Sequence, residues 1–528
     1  MPDLFSDTLA LRKPAVRSTG GVVAAQSRKA AQIGAAVLAA GGDCLDAVVA
    51  VGFALGVLEP WMSGPGGGGA MVLYRARENR TEVIDYGMRA PESLRVEDYP
   101  LVEGVASDIF PWARVKDDRN LQGPGSIAVP GVVAGMAEAH RRYARMPWKE
   151  LLAPSVRLAG EGLLVDWFTT LMISSSAADL RRYAASAAAF LEDGLPPNPQ
   201  WGIRSVVRLR QDALKATMAQ LAEKGARDFY QGELAHSIAA DVQAGGGALT
   251  TGDLGAFRAE LREPLHIPYR GGMVHATPEL TAGPTLAHAL RLLQESLQPR
   301  GAPDATSFTA CALALQAAYR ERLNGMGDAD GRRALGAEHL APACTTHYSI
   351  VDRDGNMAAV TQTLLSTFGS KYVLPQSGIV MNNGIMWFDP TPGGPNSLAP
   401  GRRCLTNYTP VVAEAADGRR LAVGASGGRR ILPAVMQMLS FVMDFGMDLD
   451  AAMRQPRLDA SEGAIVIGNA KLPLEVREAL RARFDYEEAR SQAIPSKFAF
   501  PSAVLRDGDT NFGATEIGHP WSDVAAEG

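Results

Sequence analysis

The sequence predicts an α+β fold. Three observations carry that reading: two apolar helical runs followed by two strands near the start, a helical middle over residues 130–240, and a β-rich stretch from Thr345 onward. Chains of this kind place sheets between helical layers. No self-similar period divides the sequence into repeats.

The first helix is expected over Lys29–Ala40, where Gly41-Gly42 stops it. Asp43 is placed to cap the next run, Leu45–Leu58, whose single charge is Asp46; so apolar a helix is buried on most faces. Ser63–Gly69 ends in four glycines, Gly66 to Gly69. Apolar segments on both sides mark it as a constrained core loop rather than a linker. Ala70–Tyr74 and Glu82–Tyr86 read as strands about the polar turn Arg77–Arg80. Residues 130–240 read mostly as helices, including Ala177–Leu191, with a loop at Pro196–Pro199. His347–Val351 and Met357–Thr363 are strands joined by Asp352–Asn356, where Asp354-Gly355 is a strong hairpin signal. Further strands are expected at Gly378–Met381, Thr409–Ala413 and Leu421–Gly424, and a helix at Ile431–Met443.

With 46% hydrophobic and 21% charged residues, the 528-residue chain has the composition of a globular protein. Its net charge is −5 and it has no long basic run, so a nucleic-acid groove is not expected. Cys44, Cys311, Cys344 and Cys404 form no CxxC pair and match no zinc spacing, so neither metal nor cofactor is expected. The N-terminus lacks an apolar signal core and no segment is apolar enough to span a membrane. The expectation is a soluble, cytoplasmic protein in a reducing compartment.

Three segments have the residues for chemistry. Thr345-Thr346-His347-Tyr348-Ser349 opens a strand; a triad through His347 has no G-x-S-x-G elbow beside it, so a packed or surface histidine is the better reading. Gly424–Arg430 reads as strand, glycine turn and helix, where backbone N–H groups can hold an oxyanion or simply make the turn. The third is the glycine loop at Ser63–Gly69.

Five separated motifs then occur in one order: GGDCLDAVVAVGFALGVLEPWMSGPGGGGAMVLY, GGALTTGDL, TTHYSIVDRDGNMAAVTQTL, FGSKYVLPQSGIVMNNG and GASGGRRILPAVMQML. From about Gly21 to Ala460 the chain resembles the gamma-glutamyltranspeptidase family of N-terminal-nucleophile hydrolases. The resemblance implies a four-layer αββα fold and a proenzyme that cuts itself between Cys344 and Thr345. Residues 1–344 then form a large subunit and 345–528 a small one, together one αββα unit, as a heterodimer or a dimer of heterodimers. Thr345 matches the nucleophile, Thr363 the threonine that supports it, and Gly427 and Gly428 the oxyanion pair. Asn382 and Asn383 match an asparagine pair of structural or pocket-wall role. A free α-amine beside a threonine hydroxyl supplies the base that the hydroxyl lacks.

The sequence departs from the family where the amino-acid head group of the donor binds. The usual carboxylate-binding arginine is Gly87, with Arg89 two residues on, on the same strand face. Leu365, Gly384 and Trp387 replace an Asn, a Gln and the Asp that pairs with the donor's α-amine. Thr406 and Asn407 replace two serines. The resemblance therefore implies an amidohydrolase or acylase acting through an acyl-threonine, on a small-molecule amide whose acyl part lacks an α-amine. Oxamate-like compounds and dicarboxylic monoamides held by Arg89 are such donors. A gamma-glutamyl transpeptidase or glutathione hydrolase, and a non-catalytic binding homologue, are the alternatives.

Overall fold

The computed structural model describes residues 13–106, 112–199, 206–325, 343–492 and 496–527. Fourteen strands build its two large sheets. In chain order the first seven are Val16–Ser18 (β1), Val22–Ala25 (β2), Gly68–Arg75 (β3), Arg80–Tyr86 (β4), Glu260–Arg262 (β5), Leu265–Tyr269 (β6) and Gly272–Ala276 (β7). The others are Ala343–Val351 (β8), Met357–Ser366 (β9), Val411–Glu414 (β10), Arg420–Ser426 (β11), Phe500–Asp507 (β12), Thr510–Thr515 (β13) and Asp523–Ala526 (β14). One sheet has the order β14-β2-β8-β9-β3-β4-β5 and the other β1-β13-β12-β11-β10-β7-β6.

Strand alternation sends each side chain to one of two cores. From β2, Val23 and Ala25 face a helical layer while Val22 and Ala24 face the second sheet. Arg28–Ala39 (α1), Cys44–Leu58 (α2), Val132–Tyr143 (α3) and Trp148–Glu161 (α4) cover the outside of the first sheet. Gly283–Ser296 (α5), Ala305–Gly325 (α6) and Ile431–Met443 (α7) cover the second. Val72, Val83, Ala359, Val412, Ala422 and Val504 fill the space between the sheets. Four layers result, αββα, as expected.

Local signals set the helix ends. Asp43 caps α2 through the Leu45 N–H, Asp46 completes a capping box, and α2 is buried from Cys44 to Val57. The predicted start and stop of α7 are met. Two expectations are corrected. Gly378–Met381 makes only single bridges, because Gly378 has φ +68° and its N–H bonds back to Leu374, closing a turn. The Ala177–Leu191 stretch splits into Ala177–Leu180 and Ala184–Phe190, with Tyr183 in an extended conformation between them. Among the described residues no helix is long and apolar enough to cross a membrane, and no group of His, Cys, Asp and Glu could hold a metal ion.

Candidate active site

The site forms where β8 and β9 fall out of register. Cys344 pairs with Leu365 and Thr346 with Gln362, so Thr345 stands opposite both Thr363 and Leu364. Such a bulge re-aims a side chain out of the regular ladder. Leu365 takes φ +87°, unusual for a residue with a branched side chain. The bulge brings three groups onto one hydroxyl. Thr363 Oγ1 donates to the Cys344 carbonyl oxygen at 2.6 Å, accepts from the Leu365 N–H at 2.8 Å and lies 3.3 Å from Thr345 Oγ1. Cys344, Thr345 and Thr363 are all buried.

The glycine loop is what lets β3 lie this close. A Cβ on Gly67 would stand 2.4 Å from the Thr363 carbonyl oxygen, and one on Gly69 would stand 2.3 Å from that of Thr361. The predicted oxyanion turn follows β11 and packs against β8. Gly427 has φ +138° and Gly428 φ +61°, conformations that favour glycine, and a Cβ on Gly427 would meet Ala499 at 2.9 Å.

The other predicted residues fall into separate roles. Asn382 accepts from the Ala128 and Gly384 N–H groups and donates to the Gly66 and Ala128 carbonyls. Asn383 accepts from Ser366 N–H and donates to the Leu121 carbonyl and the Ser366 hydroxyl. Asn382 therefore fastens the loop after Met381 to the glycine loop and to Ala128, and Asn383 fastens it to Leu121 and the end of β9. Leu365 and Trp387 join Met88, Ile385, Met386 and Phe388 in one buried apolar cluster, and a Cβ on Gly384 would touch Ala128 and Met88. Thr406 donates to the Leu280 carbonyl, and Asn407 accepts from Arg322. Arg89 ion-pairs with Glu260, and both are partly exposed. His347 is buried between the Thr361 and Ser349 hydroxyls, and burial pushes its pKa down to about 3; it is a packed histidine.

Sequence reasoning passed over Arg322 on α6. It is fully buried, donates to the Thr281 and Thr406 carbonyls as well as to Asn407, and burial lowers its pKa to about 10. It also passed over Gln26, Glu59 and His519, which lie behind Thr346. Glu59 lies in the first of the five motifs without its role being legible there, and the other three belong to none.

The αββα frame with the β8–β9 hairpin at its centre is the fold of the N-terminal-nucleophile hydrolases. Comparison with known proteins narrows this further. The profile described as Gamma-glutamyltranspeptidase matches residues 30–340 and 332–519. The chain is 33% identical to the Acylase ACY 1 proenzyme of Pseudomonas sp. (strain V22), over 89% of this chain and 88% of that protein. It is 30% identical to the Glutathione hydrolase proenzyme of Escherichia coli (strain K12), over 84% of this chain and 81% of that protein. The crystal structure of a cephalosporin acylase from Bacillus halodurans superposes with a TM-score of 0.83 at 25% identity, covering 100% of this chain and 99% of that one. The chain belongs to the gamma-glutamyltranspeptidase family, and it is an amidohydrolase or acyltransferase of that family.

Proposed function

We propose that the chain is a self-processing threonine amidohydrolase whose acyl donor has no α-ammonium group. The observation that carries the first half is the Thr363 hydroxyl, 2.6 Å from the Cys344 carbonyl oxygen and 3.3 Å from Thr345 Oγ1. A donor there polarises the carbonyl next to the hydroxyl that attacks it. In processing, Thr345 Oγ bonds to the Cys344 carbonyl carbon, its proton passes to the Thr345 nitrogen, and the C–N bond breaks. Water then hydrolyses the ester, leaving a carboxylate on Cys344 and a free amine on Thr345. That amine, with an ordinary pKa of ~7.7–8.0, takes the hydroxyl proton in each later turnover. The hydroxyl adds to the donor amide, N–H groups of Gly427 and Gly428 hold the oxyanion, the amine product leaves, and water releases the acid.

The apolar cluster around Leu365 and Trp387 supports the second half of the proposal. An unpaired ammonium buried against it costs several kcal/mol on the order expected for an isolated charge. This favours an acylase over a glutathione hydrolase, among relatives of both names. Arg89, Arg258 and Arg403 line one crevice with Asp85 and Glu260; Arg89 is paired with Glu260 and Arg403 with Glu279, so the carboxylate of a dicarboxylic monoamide would bind Arg89 by taking the place of Glu260.

Purified protein on a denaturing gel should give two bands, the smaller beginning Thr-Thr-His-Tyr-Ser. Thr345→Ala should give one band and no hydrolysis. Glutaryl-p-nitroanilide should be cleaved with a higher kcat/KM than γ-glutamyl-p-nitroanilide. A single uncut band from active protein removes the processing step, and preference for the γ-glutamyl compound removes the donor assignment.

A further inference from the structure

The nucleophile strand has a second polar support on its other face. Thr346, next to Thr345, points away from the Thr363 side and into a fully buried group made of Gln26, Glu59, Ser426 and His519. Thr346 Oγ1 lies 2.9 Å from Gln26 Oε1 and 3.2 Å from Glu59 Oε2. Gln26 Nε2 donates to the Ser426 hydroxyl, and Ser426 immediately precedes Gly427. On the far side, Glu59 Oε1 faces His519 Nε2 at 3.8 Å, and neither atom has a hydrogen-bond partner among the described residues.

With the Gln26 amide in this orientation, the protons of the group can be counted. The Gln26 amide nitrogen donates to Ser426, so its oxygen is an acceptor. One Thr346 hydroxyl proton cannot serve both Gln26 Oε1 and Glu59 Oε2. A carboxyl proton on Glu59 completes the chain, running from Glu59 to Thr346 to Gln26. His519 Nδ1 accepts from the Ser522 N–H, so the neutral ring has its proton on Nε2, pointing at Glu59 Oε1. Burial acts in the same direction on both groups, pushing the Glu59 carboxyl up to about 8 and the His519 imidazole down to about 3. The charged groups nearby sit behind His519: Lys13 donates to its carbonyl, and Arg457 pairs with Glu516.

The loop after Glu59 grips the partner strand as well. The Trp61 and Met62 carbonyls accept from the Phe368 and Leu364 N–H groups, Leu364 in the bulge itself and Phe368 just past the end of β9. We propose that Glu59 is a positioning residue for Thr345, acting through Thr346 as one arm of a buried clamp whose other arm, Gln26, ties the nucleophile strand to the oxyanion turn. The proposal rests on the reading of Thr345 as nucleophile. The need for such a clamp is physical. Cutting the Cys344–Thr345 bond makes Thr345 a chain end, and chain ends fray unless tied down. Thr346 is then the first side chain able to tie it.

The test uses the full-length chain with Glu59→Gln, Glu59→Leu, Thr346→Val and Thr345→Ala. Two rates are read: self-cleavage of newly made protein, and kcat and KM for glutaryl-p-nitroanilide from pH 6 to 9.5. Glutamine has the donor and acceptor of a protonated carboxyl, so Glu59→Gln should stay within about threefold of the parent. It should also hold its rate above pH 8, where the parent declines as Glu59 ionises. Glu59→Leu and Thr346→Val should lose roughly tenfold to a hundredfold in kcat with KM little changed, the scale of a misplaced nucleophile. Where Glu59→Leu does not fold, Thr346→Val, close to isosteric, decides. Parental rates in Thr346→Val beside an inactive Thr345→Ala overturn the clamp alone. Equal losses in Glu59→Gln and Glu59→Leu also overturn it. Cleavage persisting in Thr345→Ala overturns the nucleophile reading and the clamp with it.

Discussion

Thr363 has one proton to give and two lone pairs to fill, and the bulge uses all three: the Cys344 carbonyl, the Leu365 N–H and Thr345 Oγ1. Its hydroxyl thus acts on the bond to be cut as well as on the nucleophile. Thr363→Val keeps the shape and the strand preference but removes the donor. Self-cleavage should slow roughly a hundredfold, the scale of losing one carbonyl-polarising donor, while the protein still folds. A time course of band conversion measures it, and an unchanged rate removes Thr363 from the site. The threonines and the glycine pair were legible in sequence because each sits in a contiguous motif. Gln26 and His519 lie in no motif, and Glu59, though inside the first, gives no sign there of its partners, since only the packing of α2, β2 and the C-terminal segment onto β8 brings the three together.

The two helices with a clear local start signal, α2 and α7, were read correctly. Asp43 and the glycines before Ile431 punctuate the chain on their own. The β6–β7 hairpin went unread. Pro268 within β6 argues against a strand, yet it is tolerated because β6 lies at the edge of its sheet. The Asp43 cap has a second function that no capping rule reveals: both its oxygens receive the Arg75 guanidinium, at 2.8 and 2.9 Å, joining α2 to the end of β3. The Asp43 side chain is fully buried. Asp43→Ala leaves that guanidinium without its partner and should destabilise the fold by about 3–5 kcal/mol. The thermal midpoint of the uncut Thr345→Ala chain, with and without Asp43→Ala, reads this directly; equal midpoints would show that Arg75 finds another partner.

Each sheet mixes strands from both sides of the proposed cut. In the first, β8, β9 and β14 from the C-terminal portion are laid among β2, β3, β4 and β5 from the N-terminal portion. In the second, β10 to β13 lie between β1 on one edge and β7 and β6 on the other. Neither portion has a complete sheet, so neither can bury its apolar face alone. Residues 1–344 and 345–528 made separately should therefore be insoluble or unfolded, whereas the processed pair should elute as one species under native conditions. Circular dichroism and size exclusion would check both, and a folded, isolated small fragment would contradict it.

The pairing of β14 with β2, Val22 opposite Ala526, has a consequence for how the molecule can be rewired. The last strand thus lies beside the second, and Lys13 near the start of the described chain donates to the His519 carbonyl close to its end, while the bond at Cys344–Thr345 sits at the heart of the site. A circular permutant that joins the old ends through a short linker and opens at Thr345 would present the threonine amine directly from translation, once the initiator methionine is removed. Such a protein would need no self-cleavage to mature, and it would separate the chemistry of becoming an enzyme from that of being one.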